Sequence, residues 1–98
     1  MLQEALELLR LKRDDIVLDA TTGAGGHARE ILKRITPGGR LVGLDNDAEI
    51  LRIAETSLND FSGSFTLVNE NFRNLDAALA HAGVKTLSAA LFDLGVSS

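Results

Sequence analysis

The residues best suited to chemistry form one run that begins with a carboxylate and continues through a glycine-rich segment. Asp19–His27 reads Asp-Ala-Thr-Thr-Gly-Ala-Gly-Gly-His. Glycines permit positive φ and let a ligand touch the backbone, while N–H groups at the start of a following helix attract a carboxylate or a phosphate. The run therefore predicts a ligand cradle, and an ordinary tight turn between a strand and a helix is the structural alternative.

The glycine spacing by itself leaves two cofactors open. Gly23 and Gly25, followed by Ala28, satisfy the dinucleotide fingerprint of nicotinamide enzymes. Asp19 favours S-adenosylmethionine instead, because a carboxylate at the mouth of a strand repels a pyrophosphate but attracts an ammonium and a sulfonium. We expect S-adenosylmethionine as the cofactor and keep an NAD-dependent oxidoreductase as the alternative.

A second carboxylate, Asp45, closes the next apolar run. It follows the glycine segment by about twenty residues, where an acidic side chain accepts both ribose hydroxyls of an adenosine cofactor. The alternative role for Asp45 is to cap the following helix, but Asp47 is better placed for that. We therefore predict that Asp45 binds the ribose.

Three further residues are candidates because of their positions. Phe72 follows the third apolar run and could pack on an adenine ring or simply in the core. Asp93 follows the fourth run, where it could accept the proton of an exocyclic amine that attacks a methyl group, or act only as a turn residue. His27, in the first turn of a helix, could donate to the cofactor or help to close the loop.

Alternating strands and helices must position these residues. Apolar runs bounded by turn residues predict four strands, at Ile16–Ala20, Arg40–Asp45, Ser64–Asn69 and Ser88–Asp93. Amphipathic spacing predicts a short helix before the first strand and three more between the strands. The first of these three spans Gly26–Ile35, the second is capped by Asp47, and Gly83 ends the third.

This alternation indicates an α/β fold of the Rossmann type, with about four parallel strands and helices on both faces. Ligands of such sheets bind outside the carboxyl ends of the strands, at the switch point that strands one and four would flank. We therefore expect the functional residues to cluster at that edge.

Composition limits the kind of protein. The 98 residues include no cysteine and two histidines, which excludes disulfides, thiolate metal sites and a histidine metal cluster. No run is long enough to span a membrane, and the N-terminus does not read as a secretory signal, so we expect a cytoplasmic protein without membrane contact. The net charge of −4 argues against nucleic-acid binding by phosphate neutralisation alone, and RNA contact would need a surface that this chain does not show.

Four segments, taken in order, resemble a known family. Asp19–His27 is followed by Gly-Leu-Asp-Asn-Asp at 43–47, Asn-Phe-Arg-Asn-Leu at 71–75 and Leu-Phe-Asp-Leu-Gly-Val-Ser-Ser at 91–98. Together they resemble the bacterial RsmH (MraW) family, the 16S ribosomal RNA cytosine-N4 methyltransferases. The likeness runs across nearly the whole chain, and the Gly-Gly-His segment and the final six residues are far more specific than a glycine pair.

The resemblance implies an S-adenosylmethionine-dependent enzyme whose substrate is the ribosomal RNA of the small subunit. It implies that Gly25, Gly26 and His27 line the methionine part of the cofactor site and that Asp45 holds the ribose. Phe72 and Asp93 would complete the adenosine and acceptor sides, with Asp93 as the catalytic candidate by position.

Members of that family continue past the final serine pair into a glutamine-containing cofactor loop, an inserted helical domain for RNA and the remaining strands. We therefore expect residues 1–98 to be one truncated cofactor-binding domain, and a binding module without turnover is an alternative to an active enzyme. The fourth strand would be left unpaired on its far side. Since Ala89–Phe92 has no proline or lysine to protect an edge, we expect self-association through it.

Overall fold

The structure is a computed structural model that describes residues 7–20, 26–92 and 95–97, with the backbone alone at Gly26, Phe72, Leu91, Phe92 and 95–97. These residues form a five-stranded sheet with helices on both faces. The elements in chain order are β1 (Ile16–Asp19), α1 (Gly26–Ile35), β2 (Arg40–Asp45), α2 (Ala48–Ser57), β3 (Phe65–Asn69), α3 (Leu75–His81), β4 (Ala89–Phe92) and β5 (Gly95–Ser97). Residues 7–9 are helical, and short 3₁₀ turns span Asn59–Phe61 and Phe72–Asn74.

The order of the strands across the sheet is β3-β2-β1-β4-β5. β1 lies between β2 and β4 and is parallel to both, and β2 is parallel to β3. The chain moves outward from β1 to β3 and then crosses back to β4, so the order reverses between β1 and β4. The prediction of an α/β fold with four parallel strands and a switch point between strands one and four is confirmed.

The far side of β4 differs from the sequence-based expectation. β5 pairs with β4 in the antiparallel sense, with Ala90 opposite Ser97 and Phe92 opposite Gly95. The prediction that the fourth strand is left unpaired was therefore wrong. The reason is geometric, because an antiparallel partner can follow through a hairpin of very few residues, so the short segment after β4 is enough to supply one. The argument for self-association through an open β4 edge no longer holds.

The core consists of two apolar layers, one on each face of the sheet. On one face, Val17 and Leu41 pack with the buried side of α1, including Ile31 and Ile35. On the other face, residues that alternate with these along the strands pack with Ala78 of α3: Leu18, Val42, Leu44 and Val68. Because β1 faces a helix on both sides, its side chains are buried nearly throughout, which is why its sequence is continuously apolar rather than alternating.

The end of α3 shows how the sequence stops a helix here. Gly83 has a φ of +74°, and the N–H of Val84 donates to the carbonyl of Leu79. A residue with a left-handed φ after the last turn lets the N–H groups that follow donate to the final carbonyls of the helix. The prediction that Gly83 ends this helix is confirmed. Among the described residues, no helix is both long enough and apolar enough to cross a bilayer.

An ion pair fastens α1 to the segment that follows α2. Both Nη atoms of Arg29 donate to the carboxylate of Asp60, at 3.0 and 2.8 Å, and Nη2 also donates to the Ser57 carbonyl at 2.6 Å. The guanidinium carbon lies 5.4 Å from the centre of the Phe61 ring. A bidentate pair of this kind fixes an orientation as well as a distance. The hydrogen bond from Arg29 lowers the pKa of Asp60 below its ordinary value.

This ion pair predicts a stability difference that depends on pH. Asp60→Asn should lower the melting temperature at pH 7, because the charge that pairs with Arg29 is lost. A carboxylate whose pKa is lowered by folding stabilises the protein above its unfolded pKa of about 4 and loses that effect as the pH falls through the folded value. The melting temperatures of the wild type and the variant should therefore converge below about pH 4.

Thermal unfolding followed by circular dichroism from pH 3 to 8 measures this difference. Glu55→Gln is the matched control, because it removes another exposed carboxylate for which the described residues provide no ion pair. An Asp60→Asn effect at pH 7 no larger than the control's would contradict a stabilising role for the pair.

Candidate functional site

The carboxyl ends of β1 and β2 bring two acidic residues to one edge of the sheet. Asp19, the last residue of β1, lies opposite Gly43 of β2 on one side and Leu91 of β4 on the other. It is fully buried, so its carboxylate is shielded from bulk water. A carboxylate in such a place interacts strongly with any charge that approaches it, and it favours a cationic group over an anionic one.

Asp45 ends β2 two residues beyond the position opposite Asp19. Because side chains alternate along a strand, this spacing puts Asp19 and Asp45 on the same face of the sheet, with Cα atoms about 8 Å apart. Asp45 is half-buried, and its Oδ1 accepts the N–H of Asp47 at 2.9 Å. None of the described residues donates to its Oδ2, which leaves that oxygen available to a ligand.

The capping role at the start of α2 belongs to Asp47. Its Oδ1 accepts the N–H groups of Glu49 at 2.9 Å and of Ile50 at 3.4 Å, and its own backbone is extended, as expected at an N-cap. The prediction that Asp47 caps this helix is confirmed. Asp45 is therefore not needed as the cap, which removes the main structural alternative to its predicted ligand role.

The segment after β3 is tied to the end of β2. The N–H of Glu70 donates to the Asp45 carbonyl at 3.0 Å, and the side-chain amide of Asn69 reaches the same oxygen at 3.3 Å. Glu70 also accepts hydrogen bonds from the Asn71 backbone and the Asn74 side chain, which fix the turn that Phe72 begins. Sequence reasoning missed Asn69 and Glu70, although a polar pair directly at the end of a strand was a usable signal.

Two other predicted site residues begin α1. Gly26 is the first residue of the helix and His27, which is half-buried, is the second. The first turn of α1 contains no acidic side chain, so its N–H groups present positive partial charge. Gly23, Gly25 and Asp93 lie outside the described residues, and for Phe72 only the backbone position is described.

The structure thus brings four of the predicted features to the carboxyl edge of the parallel strands: buried Asp19, half-buried Asp45, the start of α1 and the turn that begins at Phe72. The combination suits a ligand that carries a cation and a ribose. The cation would be attracted by the carboxylate of β1, and vicinal hydroxyls could donate to the carboxylate of β2.

Comparison with known proteins identifies the family. The sequence model of the MraW methylase family matches residues 1–98. The chain belongs to the MraW methylase family. This confirms the resemblance found in the sequence, and it places the chain among methylases rather than among nicotinamide-dependent enzymes.

Two relatives illustrate the match. The chain is 40% identical over all 98 residues to "Ribosomal RNA small subunit methyltransferase H" of Lachnospira eligens and 45% identical to the protein of the same name from Christiangramia forsetii. In each case the match covers the whole chain but only 31% of the relative. The chain therefore spans about a third of the length of these relatives.

A solved structure shows the same fold. Fibrillarin from Aeropyrum pernix, in complex with natively bound S-adenosylmethionine, superposes with a TM-score of 0.76 over 94% of this chain and 41% of its own. The sequences are 21% identical, so the likeness concerns the fold. The described residues therefore share the fold of that S-adenosylmethionine-binding protein.

The contacts of Asp47 and Asp45 predict that substitutions at the two positions differ in their effects on stability. Asp47→Ala removes both acceptor bonds at the start of α2 and should lower the free energy of unfolding by about 0.5–2 kcal/mol. Asp45→Asn retains a side-chain carbonyl that can accept the Asp47 N–H, so it should change stability much less. Urea titration of both variants measures the two effects, and equal losses would show that Asp45 is part of the cap.

Proposed function

We propose that this chain binds S-adenosylmethionine and forms the cofactor part of a cytoplasmic methyltransferase that acts on cytosine N4 in 16S ribosomal RNA. The observation that supports the proposal most strongly is the pair of carboxylates, Asp19 and Asp45, on one face at adjacent strand ends in a member of a methylase family. The relatives named for small-subunit ribosomal RNA support the choice of substrate.

The residues at the carboxyl edge have complementary roles in holding the cofactor. Asp45 accepts the ribose hydroxyls, using the oxygen that does not bind the Asp47 N–H. Buried Asp19 attracts the cationic groups of the methionine part. Gly26 and His27, which begin α1, line that part together with Gly23 and Gly25. Phe72 packs against the adenine at the turn after β3.

When bound, S-adenosylmethionine supplies an activated methyl group on its sulfonium. The protein contributes mainly orientation, because an attacking nitrogen must lie in line with the methyl–sulfur bond. The exocyclic nitrogen of cytosine is a weak nucleophile, since its lone pair is delocalised into the ring. Asp93, which follows β4 across the switch point from the glycine segment, accepts a hydrogen bond and then the proton from this nitrogen.

Of the two alternatives raised by the sequence, the oxidoreductase is not favoured. The glycine spacing fits both cofactors, but the family consists of methylases and the carboxylate at the end of β1 is buried where a pyrophosphate would approach. The other alternative, a cofactor-binding module without turnover, predicts the same binding site and differs only in activity. Incubation of the 98-residue chain with small ribosomal subunits and S-adenosylmethionine, followed by mass spectrometry of the nucleosides, distinguishes an active enzyme from such a module.

Calorimetric titration of the chain tests the proposed cofactor. S-adenosylhomocysteine should bind and NADH should not. Asp45→Asn should weaken the binding of S-adenosylhomocysteine at least tenfold, because charge-assisted hydrogen bonds to ribose hydroxyls contribute about 1.5–3 kcal/mol when water does not compensate.

Glu55→Gln is the matched control for this titration, because Glu55 is exposed near the end of α2, ten residues after Asp45 and outside the segments of the proposed site. A folded Asp45→Asn variant with unchanged affinity would refute the ribose role. Heat from NADH but not from S-adenosylhomocysteine would refute the proposed function as a whole.

A further inference from the structure

The basic and acidic residues of this chain are unevenly distributed along the sequence, which the net charge alone does not show. Residues 10–40 contain seven of the ten basic residues and four acidic ones. Residues 41–98 contain three basic and eight acidic residues. A net charge of −4 is therefore compatible with a local cationic surface, provided that the fold brings the basic residues of the first segment together.

The fold does bring them together, at the amino ends of β1 and β2. The turn Lys12–Asp15 lies between the end of α1 and the start of β2. The N–H of Asp14 donates to the Ile35 carbonyl at 3.2 Å, and the N–H of Arg40 donates to the Asp15 carbonyl at 2.9 Å. Arg40 is itself a member of the second pair. Arg13 and Arg34 precede the two members of the first pair, Asp14 and Ile35, in the sequence.

Two glycines allow the turn to sit directly against the helix end. A Cβ on Gly39 would lie 2.5 Å from the Ile35 carbonyl oxygen and 2.6 Å from that of Asp15. Both are backbone atoms, so a side chain at this position would force the two segments apart. Asp14, at a φ of +79°, approaches Gly38 so closely that a Cβ there would overlap its carboxylate. This packing holds the backbone of the turn before β1 close to that of the turn before β2.

We define the basic surface as Arg10, Lys12, Arg13, Lys33, Arg34 and Arg40. Lys33 and Arg34 share the carboxylate of Glu30, at 3.3 and 3.4 Å. The other four are exposed, and within residues 7–20 and 26–92 none of them forms an ion pair. Of the two acidic side chains in the turn, Asp15 accepts the backbone N–H of Lys12 at 2.8 Å and Asp14 lies against Gly38. Several cationic groups are thus available to an external anion.

This surface lies at the amino ends of the parallel strands, whereas the candidate cofactor site lies at their carboxyl ends. Arg40 begins β2 and Asp45 ends it, so the two edges are separated by the length of a six-residue strand, about 17 Å. The basic surface is therefore not part of the site described above. A long polyanion could contact it while its reacting group lies at the carboxyl edge.

We propose that the basic surface binds the phosphodiester backbone of ribosomal RNA at a distance from the methylated base. The inference rests on the proposed function, which makes ribosomal RNA the polyanion that this protein meets. Contacts of Lys and Arg with phosphates position a protein on RNA without reading its sequence, and they produce a binding constant that falls with salt. The surface is a positioning element for the RNA, and none of its residues touches the reacting atoms.

Charge reversal tests the surface. The double variant Lys12→Glu, Arg13→Glu should weaken binding of the 98-residue chain to a transcribed 16S ribosomal RNA fragment at least tenfold in dilute salt. The slope of log K against log salt should also become shallower by about 0.7–0.9 for each phosphate that the variant no longer neutralises. Fluorescence anisotropy with a labelled fragment measures both quantities.

Arg52→Glu, Lys85→Glu is the matched control, because both residues are exposed, lie outside the basic surface and outside the turn that begins at Phe72, and change the net charge by the same amount. An equal loss of affinity in this control would mean that net charge alone is responsible and would overturn the proposal. RNA binding that is unaffected by the double reversal would overturn it as well. The proposal would also be overturned if the double reversal weakened binding to phosphatidylglycerol vesicles but not to RNA, because the partner would then be a lipid surface.

Calorimetry with S-adenosylhomocysteine separates this proposal from the proposed function. The reversal variant should bind the nucleoside as the wild type does, which also shows that it is folded. If the reversal variant binds both S-adenosylhomocysteine and RNA as tightly as the wild type does, the basic surface is refuted and the proposed function is not. Absence of S-adenosylhomocysteine binding, with RNA affinity that still depends on Lys12 and Arg13, would refute the cofactor proposal and leave the surface supported.

Discussion

The burial of β1 on both faces is the constraint on which the rest of the structure depends. A strand covered by helices on either side must be apolar at successive positions, and its neighbours must run parallel if they are reached through those helices. β1 is therefore the fixed centre from which β2 and β4 take their positions. Its last residue, Asp19, is buried with it, so a carboxylate of this core lies where the chain leaves the sheet.

Parallel strands also separate the two edges of the sheet chemically. Every strand from β1 to β4 ends at the same edge, so residues that are distant in sequence, such as Asp19, Asp45 and Glu70, become neighbours there. The amino ends collect a different set, because the turn before β1 packs on the turn before β2. The first edge is acidic and suits a cationic cofactor, whereas the second is basic and suits a polyanion. One topology thus provides two surfaces of opposite charge.

Much of this arrangement could be predicted from the sequence, because local signals were strong where burial is continuous. The bounds of α1 and β2 agree with the expectation, since apolar periodicity and the turn at 36–39 define them. The partner of β4 was missed because a three-residue strand such as β5 has almost no pattern of its own. The sequence also predicted that Asp47 rather than Asp45 caps α2, and the hydrogen bonds at the start of that helix confirm it. The basic surface could not be predicted from net charge, which contains no information about position.

The central claim is that the carboxyl edge of the parallel strands holds the nucleoside of the cofactor. Mapping backbone amide chemical shifts of the isotope-labelled chain during titration with S-adenosylhomocysteine tests it most directly. We expect the largest shifts at Ala20, at Asp45–Asp47 and at Glu70–Asn71, while amides at the amino ends of the strands, such as those of Arg13 and Gly39, remain nearly unchanged. Saturable shifts concentrated at the amino ends of the strands or around Gly63, with none at Asp45, would contradict it.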